Sequence, residues 1–457
     1  MTGVELGAGS GADQADSQAH LLFILDAFKP KMSWQQVSPT RYERDFDSLE
    51  RFYRVIADLG APLNKEHYLL SCVVRLKALP PPEKVQQAWK ALRHLYPQVA
   101  AVANEDGTRF VYTVPSPEDV ERWANETFLV EPSESTANDL YSKLPPSPVF
   151  KLYYLPGTRE LLFRTPHWRI DGIGMLYFQN AFLRILANGP PASIIFDGSE
   201  ATRLTPSLDE AASVPAQVTP AINDAADAEL SAVSTGSAPV SIATEPNALP
   251  TTTRRIITSF SPETSQRIIA SCKARGITVT TAAHAALVTA MLPHAQHNFD
   301  PSTRGRGGGR YMGFNAIDLR KYLPAPWNGP DAAVSIYHTG IPCSVELDDH
   351  HDFNSLTTTL GERYKRNLAR EEPRNLFLFL GEYVRKVLGL LGAAPENPLH
   401  APAHAELSSF GVIDDYISEA YGDAPDGDAR FEVEHWWVAV EVINRLLLAN
   451  VWTWRGK

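Results

Sequence analysis

The chain has 457 residues, more than one ordinary hydrophobic core holds, so two domains are expected. Its 44% hydrophobic and 21% charged residues describe a globular protein, and a net charge of −11 argues against nucleic acid or an anionic membrane as the main partner. Cys72, Cys272 and Cys343 lie far apart among apolar residues and read as buried thiols of a reducing compartment; with no leader pattern and no apolar run of roughly 18 residues, a cytoplasmic protein is expected.

Residues 1–18 are rich in Gly, Ala, Ser, Asp and Gln and are expected to be disordered. Trp34 to Ile56 reads as helical toward its end, Leu69 to Leu76 as a strand, and Pro82 to Tyr96 as an amphipathic helix with Val85, Trp89 and Leu92 on one stripe. Phe110 to Val114 is a strand candidate. Val149 to Leu155 and Leu161 to Thr165 flank Pro156-Gly157 and predict a hairpin. Apolar residues at Met175, Phe178, Phe182 and Ile185 predict a helix that Gly189 stops. From Asp197 to Ser259 there is no aromatic residue and Ala, Ser, Thr and Pro dominate, and 197–252 is expected to be a linker or mobile crossover. It would divide an N-terminal lobe, 19–196, from a C-terminal lobe, 253–457. Beyond it the spacing predicts a strand at Ile256–Phe260 and a helix capped by Ser261 with Pro262 at its first position. A helix near Thr281–Leu292, strands at Gly313–Leu319 and Val334–Val345, and helices at Phe353–Arg370 and Leu376–Leu391 come next. Strands over Arg430–Ile443 and Arg445–Trp454 close the chain. Interspersed strands and helices make the class α/β or α+β.

One motif carries chemistry. His167-Trp168-Arg169-Ile170-Asp171-Gly172 reads H-x-x-x-D-G and sits where the strand Glu160–Thr165 gives way, through Pro166, to the apolar helix. A neutral imidazole can take the proton of a hydroxyl or amine as it attacks a thioester carbonyl. Asp171, beside a turn glycine, is expected to hold the loop rather than to orient His167, and Gly172 to give the backbone room to turn. The same residues also read as a histidine at a turn and an aspartate N-cap. No serine or cysteine stands in an activated-nucleophile pattern, which points to direct transfer without an acyl-enzyme.

His167 to Gly172 resembles the active-site motif of the CoA-dependent acyltransferase superfamily, which includes chloramphenicol acetyltransferase, the plant BAHD enzymes and nonribosomal condensation domains. Trp34, the stretch Arg41 to Tyr53 and the ending Val451-Trp452-Thr453-Trp454 are similar to the fungal branch typified by trichothecene 15-O-acetyltransferase. The resemblance implies two similar α/β lobes with a solvent channel between them and His167 at its middle as general base. It implies Asp171 as a structural aspartate paired with Arg320, at the end of Asn315 to Arg320. It places Leu407-Ser408-Ser409-Phe410-Gly411 along the channel, with Ser408 or Ser409 as oxyanion donor; the D-F-G-W-G of plant members is missing there. The chain also ends before the return strand that relatives carry. The implied reaction is acyl transfer, acetyl above all, from acyl-CoA as co-substrate to a hydroxyl of a lipophilic secondary metabolite. No permanently bound cofactor, no metal, and action as a monomer are expected. The alternatives are a condensation-type enzyme fed by a carrier-protein thioester, and a catalytically silent binding protein of the same fold.

Weaker signals have blander readings. Arg304 to Arg310 (R-G-R-G-G-G-R) reads as a surface loop before it reads as a phosphate cradle, and Asp348 to Asp352 as a connection before a metal cluster. His400 and His404 are separated by Pro402, so they do not share a helical face. Trp436 and Trp437 read as core.

Overall fold

A computed structural model describes residues 33–191, 193–242, 250–295, 309–347, 352–365, 375–393, 403–422 and 431–456. The expectations for residues 1–18 and for His400 lie outside these, as do those for most of 304–310 and 348–352.

The first elements are an antiparallel pair, β1 (Gln35–Ser38) and β2 (Arg41–Asp45), followed by α1 (Ser48–Asp58). The strand pair is absent from the expectation for this segment; its exposed, charged residues have no apolar alternation to reveal it. Asp47 caps α1 in a reciprocal box with Glu50. Glu50 in turn receives Arg44 Nη1 and Nη2 at 2.8 and 2.7 Å in a buried bidentate pair. The stretch that resembles the fungal enzymes thus fixes where α1 starts, and α1 carries Tyr53.

Strand β3 (Leu70–Leu76), helix α2 (Pro82–Leu95), β4 (Val102–Ala103), β5 (Arg109–Thr113), α3 (Pro117–Thr127) and β6 (Phe128–Val130) follow. The hairpin is β7 (Lys151–Leu155) and β8 (Glu160–Thr165), and α4 (Gly172–Asn188) leaves the motif. β1-β2-β5-β4 make one antiparallel sheet. The larger sheet has the order β12-β13-β3-β8-β7-β6, where β12 is Ala420–Tyr421 and β13 is Phe431–Val440. Its apolar face is covered by α2 and α4, with Trp89, Phe163, Phe178 and Phe182 fully buried between them. Burying such rings contributes about 1.5–3 kcal/mol each.

The aromatic-poor segment 197–252 is no bare linker. It contains a turn of 3-10 helix at Ser199–Arg203, a short helix at Leu208–Ala211 and α5 (Pro220–Ser234). Ala and Leu are strong helix formers, and Leu204, Leu208, Ala226 and Leu230 are buried, so aliphatic packing replaces the missing rings. The expected strand at Ile256–Phe260 does not form. Ile256 is 93% exposed and, among the described residues, no neighbouring strand offers a ladder.

Ser261 caps α6 (Pro262–Ala274), and α7 (Val279–Met291) follows. β9 (Arg310–Asp318) pairs antiparallel with β10 (His338–Glu346). Helices α8 (Phe353–Lys365) and α9 (Leu376–Ala393) precede β11 (His404–Val412), which pairs in parallel with β14 (Leu446–Thr453). β13 leaves this half altogether: Val433 to Val440 pair with Leu76 to Leu70 of β3. Residues 253–457 therefore do not form a lobe by themselves, because their longest strand completes the sheet of the N-terminal half. Among the described residues, no single helix is long and apolar enough to cross a membrane.

Candidate active site

Between the two halves lies a cavity of about 900 Å³ lined by His167, Asp171 and Gly172 on one side and by Ser408, Ser409 and Gly411 on the other. Its size is that of a small-molecule site. The motif reaches it because the three residues between His167 and Asp171 are anchored elsewhere. The Trp168 ring is buried with Phe46 and Phe110, and Ile170 is in the main core. Arg169 is buried, and its Nη2 donates to the carbonyls of Ala101 at 2.6 Å and Val99 at 3.0 Å. Burial pulls this guanidinium down to about 10.

Asp171 is spent entirely on the scaffold. Its Oδ1 accepts from Arg320 Nη1 at 2.9 Å and Gly174 N at 2.7 Å; its Oδ2 accepts from Arg320 Nη1 at 2.9 Å and Tyr337 N at 2.7 Å. It is thus both the N-cap of α4 and a tie to the far half of the molecule. Arg320 also donates to Asp318 Oδ1 at 3.0 Å, Ala332 O at 3.0 Å and Ser335 Oγ at 3.2 Å. Burial opposes charge on Asp171. The Arg320 guanidinium, His338 and the N–H groups of Gly174 and Tyr337 outweigh it and hold the carboxyl below its ordinary range.

Two glycines of the turn act through space rather than through a turning backbone. A Cβ on Gly172 would lie 2.5 Å from Phe410 Cε1, and one on Gly174 would lie 2.2 Å from the Ala333 carbonyl and 2.9 Å from Arg320 Nη2. Gly172 has no left-handed backbone; it lets Phe410 close on the helix start. Gly411 does have a positive φ, +71°, at a bulge in β11.

His167 contrasts with Asp171. Its Nδ1 is buried with no hydrogen-bond partner from another residue, which leaves Nε2 to face the cavity. The Tyr53 ring stacks flat on it, centroids 4.3 Å apart and planes within 5°. Burial lowers the imidazole pKa, while its own carbonyl and Asp171 resist. Two more histidines share the site: His67, and His338, whose ring is 5.2 Å from that of His167. Burial, helped by charge on His167, pushes both down to about 3. On the opposite wall, alternate residues of β11 face inward: His404, Glu406 and Ser408, with His404 Nε2 3.0 Å from Glu406 Oε1. Ser409 Oγ is already engaged with Thr280 Oγ1 at 2.9 Å.

The topology therefore brings His167, Asp171, Gly172, Arg320, Ser408, Ser409 and Gly411 to one place. Sequence reasoning did not single out Tyr53, Tyr68, His67, His338, His404 or Glu406 as site residues. They come from four separate places, α1, the segment before β3, β10 and β11, and no spacing links those places. Of 304–310, Arg310 is buried and donates to the Thr235 carbonyl, away from the cavity. Asp352 accepts from Ser355 N at 2.9 Å in a local turn. Among the described residues no group of His, Cys, Asp and Glu could hold a metal ion. Trp436 and Trp437 are buried, and Trp436 Nε1 donates to Gln179 Oε1 at 2.8 Å.

Two proteins of Monascus ruber match nearly the whole chain. Acetyltransferase pigO is 28% identical over 442 residues, 93% of this chain and 91% of pigO. O-acetyltransferase pigM is 29% identical over 439 residues, 93% of this chain and 81% of pigM. Among solved structures, the TRI3 trichothecene 15-O-acetyltransferase of Fusarium sporotrichioides superposes with a TM-score of 0.74 at 18% identity, over 93% of this chain and 91% of that one. No protein-family model matches. The chain thus shares the fold of TRI3 and is similar in sequence, over nearly its whole length, to two fungal proteins named as acetyltransferases.

Proposed function

We propose that the protein transfers an acetyl group from coenzyme A directly to a hydroxyl of a lipophilic secondary metabolite, with His167 as general base. The acceptor oxygen attacks the thioester carbonyl carbon as Nε2 of His167 takes the hydroxyl proton. The carbonyl pair moves onto oxygen. On collapse the C–S bond breaks, and His167 returns the proton to the departing thiolate. Asp171, Arg320 and Gly172 position the turn and take no proton. The observation that carries this reading is the placement of His167: one nitrogen is buried, the other faces a cavity between the halves, and a stacked phenol sets the ring plane. Support for acetyl and for oxygen comes from the names of pigM and TRI3. Support for a lipophilic acceptor comes from the aliphatic and aromatic wall between α1 and α9, with Phe52, Ile56, Leu59, Val384 and Val387.

The test is turnover with acetyl-CoA and a panel of lipophilic alcohols, products being read by mass spectrometry. His167→Ala should lower the rate by about two to four orders of magnitude. A variant within about threefold of wild type would overturn the mechanism. A strict need for a phosphopantetheinylated carrier protein in place of acetyl-CoA would favour the condensation reading.

A further inference from the structure

We propose that the Tyr68 hydroxyl is the oxyanion donor of this site, hydrogen-bonding the thioester carbonyl as it becomes tetrahedral. The assignment rests on the acyl-transfer reading above and displaces Ser408 and Ser409 from that role.

Tyr68 stands immediately before β3 and lines the cavity with His167, its ring edge-on at a centroid distance of 6.2 Å and an angle of 69°. Its backbone is unusual. Tyr68 has φ +61°, in the left-handed region that bulky side chains rarely occupy and that costs about 1–3 kcal/mol. The neighbouring 441–443 segment enforces this. Tyr68 N donates to Glu441 O at 2.8 Å, Glu66 N to Glu441 Oε2 at 3.2 Å and Ile443 N to His67 Nδ1 at 3.3 Å, while Lys65 Nζ pairs with Glu441 Oε1 at 3.0 Å. A ring needed only for packing could be supplied from an ordinary extended backbone. Strain maintained by a clamp at a cavity wall points to the direction in which the side chain must aim.

The hydroxyl is the second observation. Buried tyrosines elsewhere have partners: Tyr112 bonds Glu200, and Tyr96, Tyr154, Tyr311 and Tyr337 donate to carbonyls. The Tyr68 hydroxyl makes no hydrogen bond to any described residue and is not sealed from the cavity. Tyr53 shares that property, but its ring lies flat against the face of His167 and serves to fix the imidazole plane. Burial, with the charge of Glu406 and the neighbouring Tyr53, keeps the Tyr68 phenol protonated, so it remains a donor across the working pH range. Glu406 itself is turned to His404.

In the step assigned, the carbonyl π pair moves to oxygen as the acceptor oxygen bonds to carbon. The Tyr68 O–H shortens its hydrogen bond to that oxygen but keeps its proton, and the bond relaxes as the C–S bond breaks.

Tyr68→Phe removes one oxygen that has no protein partner and leaves the backbone and ring in place, so its thermal midpoint should match wild type. Its kcat should fall about 10²–10³-fold, with the KM for acetyl-CoA unchanged within about threefold and the pH profile unmoved. Infrared difference spectra of bound carbonyl-13C-labelled acetyl-CoA supply a readout independent of any acceptor. The carbonyl stretch should lie below its frequency in water in wild type, Tyr53→Phe and Ser408→Ala, and return toward the solution value in Tyr68→Phe alone. A shifted band that survives in Tyr68→Phe, or that is lost in Ser408→Ala, would overturn the assignment while leaving the acyl-CoA reading intact. Failure of wild type to bind acetyl-CoA would instead overturn both.

Discussion

Asp171 and His167 are four residues apart in one turn, yet they stand in opposite conditions. Asp171 is buried with both carboxylate oxygens doubly occupied by Arg320 and two backbone N–H groups. His167 is only half-buried and accepts nothing from its neighbours, and around it the Tyr53 and Tyr68 hydroxyls and one nitrogen of His338 are likewise without a hydrogen-bond partner among the described residues. Buried polar groups left unmade are costly, commonly about 1–3 kcal/mol each. Here the buried pair is His167 Nδ1 and His338 Nε2, and beside them two hydroxyls are open to the cavity, a set that something other than protein can complete. The comparison divides the turn into a brace, which holds the two halves in register, and an open wall, which is reserved for substrate.

The largest effect should come from breaking the brace. Asp171→Ala leaves the buried Arg320 charge with Asp318 alone and the N–H groups of Gly174 and Tyr337 unpaired, with a predicted loss of about 3–5 kcal/mol by denaturant titration. Activity should fall with it. Adding Arg320→Met should recover only part of the stability. The N–H groups of Gly174 and Tyr337 stay unpaired, so full recovery would show that the ion pair alone mattered. A smaller loss, about 1–3 kcal/mol, is expected for Gly172→Ala, because the new methyl meets Phe410. Phe410→Leu should relieve it in a double-mutant cycle; additive losses would mean that the contact is not the cause.

The open wall should show itself in pH dependence. His67 and His338 are held down to about 3 by burial and by charge on His167, and burial lowers His167 as well. Unfolded imidazoles titrate near about 6.5. Between those values the unfolded chain binds more protons, so stability is complete above about pH 6.5 and declines on acidification toward the folded values. Asp171 adds to the decline at the acid end. Its folded carboxyl lies below the ordinary value, so its contribution is present above about pH 4 and is lost below that. Denaturant midpoints measured from about pH 7.5 down to about pH 4 should fall steadily. A flat profile would mean that these rings accept protons in the folded protein.

Much of the frame was legible in the chain. The hairpin β7–β8, helix α4 with its glycine stop and the Ser261 cap each follow from local signals of period, punctuation and capping. The Asp171–Arg320 contact came from a family resemblance, since no local rule joins residues that far apart. The segment 197–252 was misread because aromatics were taken as necessary for packing, when Leu204, Leu208 and Leu230 suffice. Ile256–Phe260 shows the converse, a β-like composition with no strand among the described residues to pair with. Tyr68 and His338 were invisible for a different reason. Each stands just before or at the start of a strand, and only the pairing of β3 with β8, which sets Leu70 opposite Thr165, and the packing of β10 across the cleft bring them to His167.

The central claim is that this wall transfers the acyl group directly through a base, with no covalent intermediate. None of the three cysteines lines the cavity; burial pushes the Cys72 thiol up, and that of Cys343 to about 11. Intact-protein mass spectrometry after exposure to acetyl-CoA without acceptor tests this most directly. Wild type should keep its unmodified mass while converting acceptor rapidly once it is added. One acetyl group gained per chain, lost again on addition of acceptor at the turnover rate, would contradict the account.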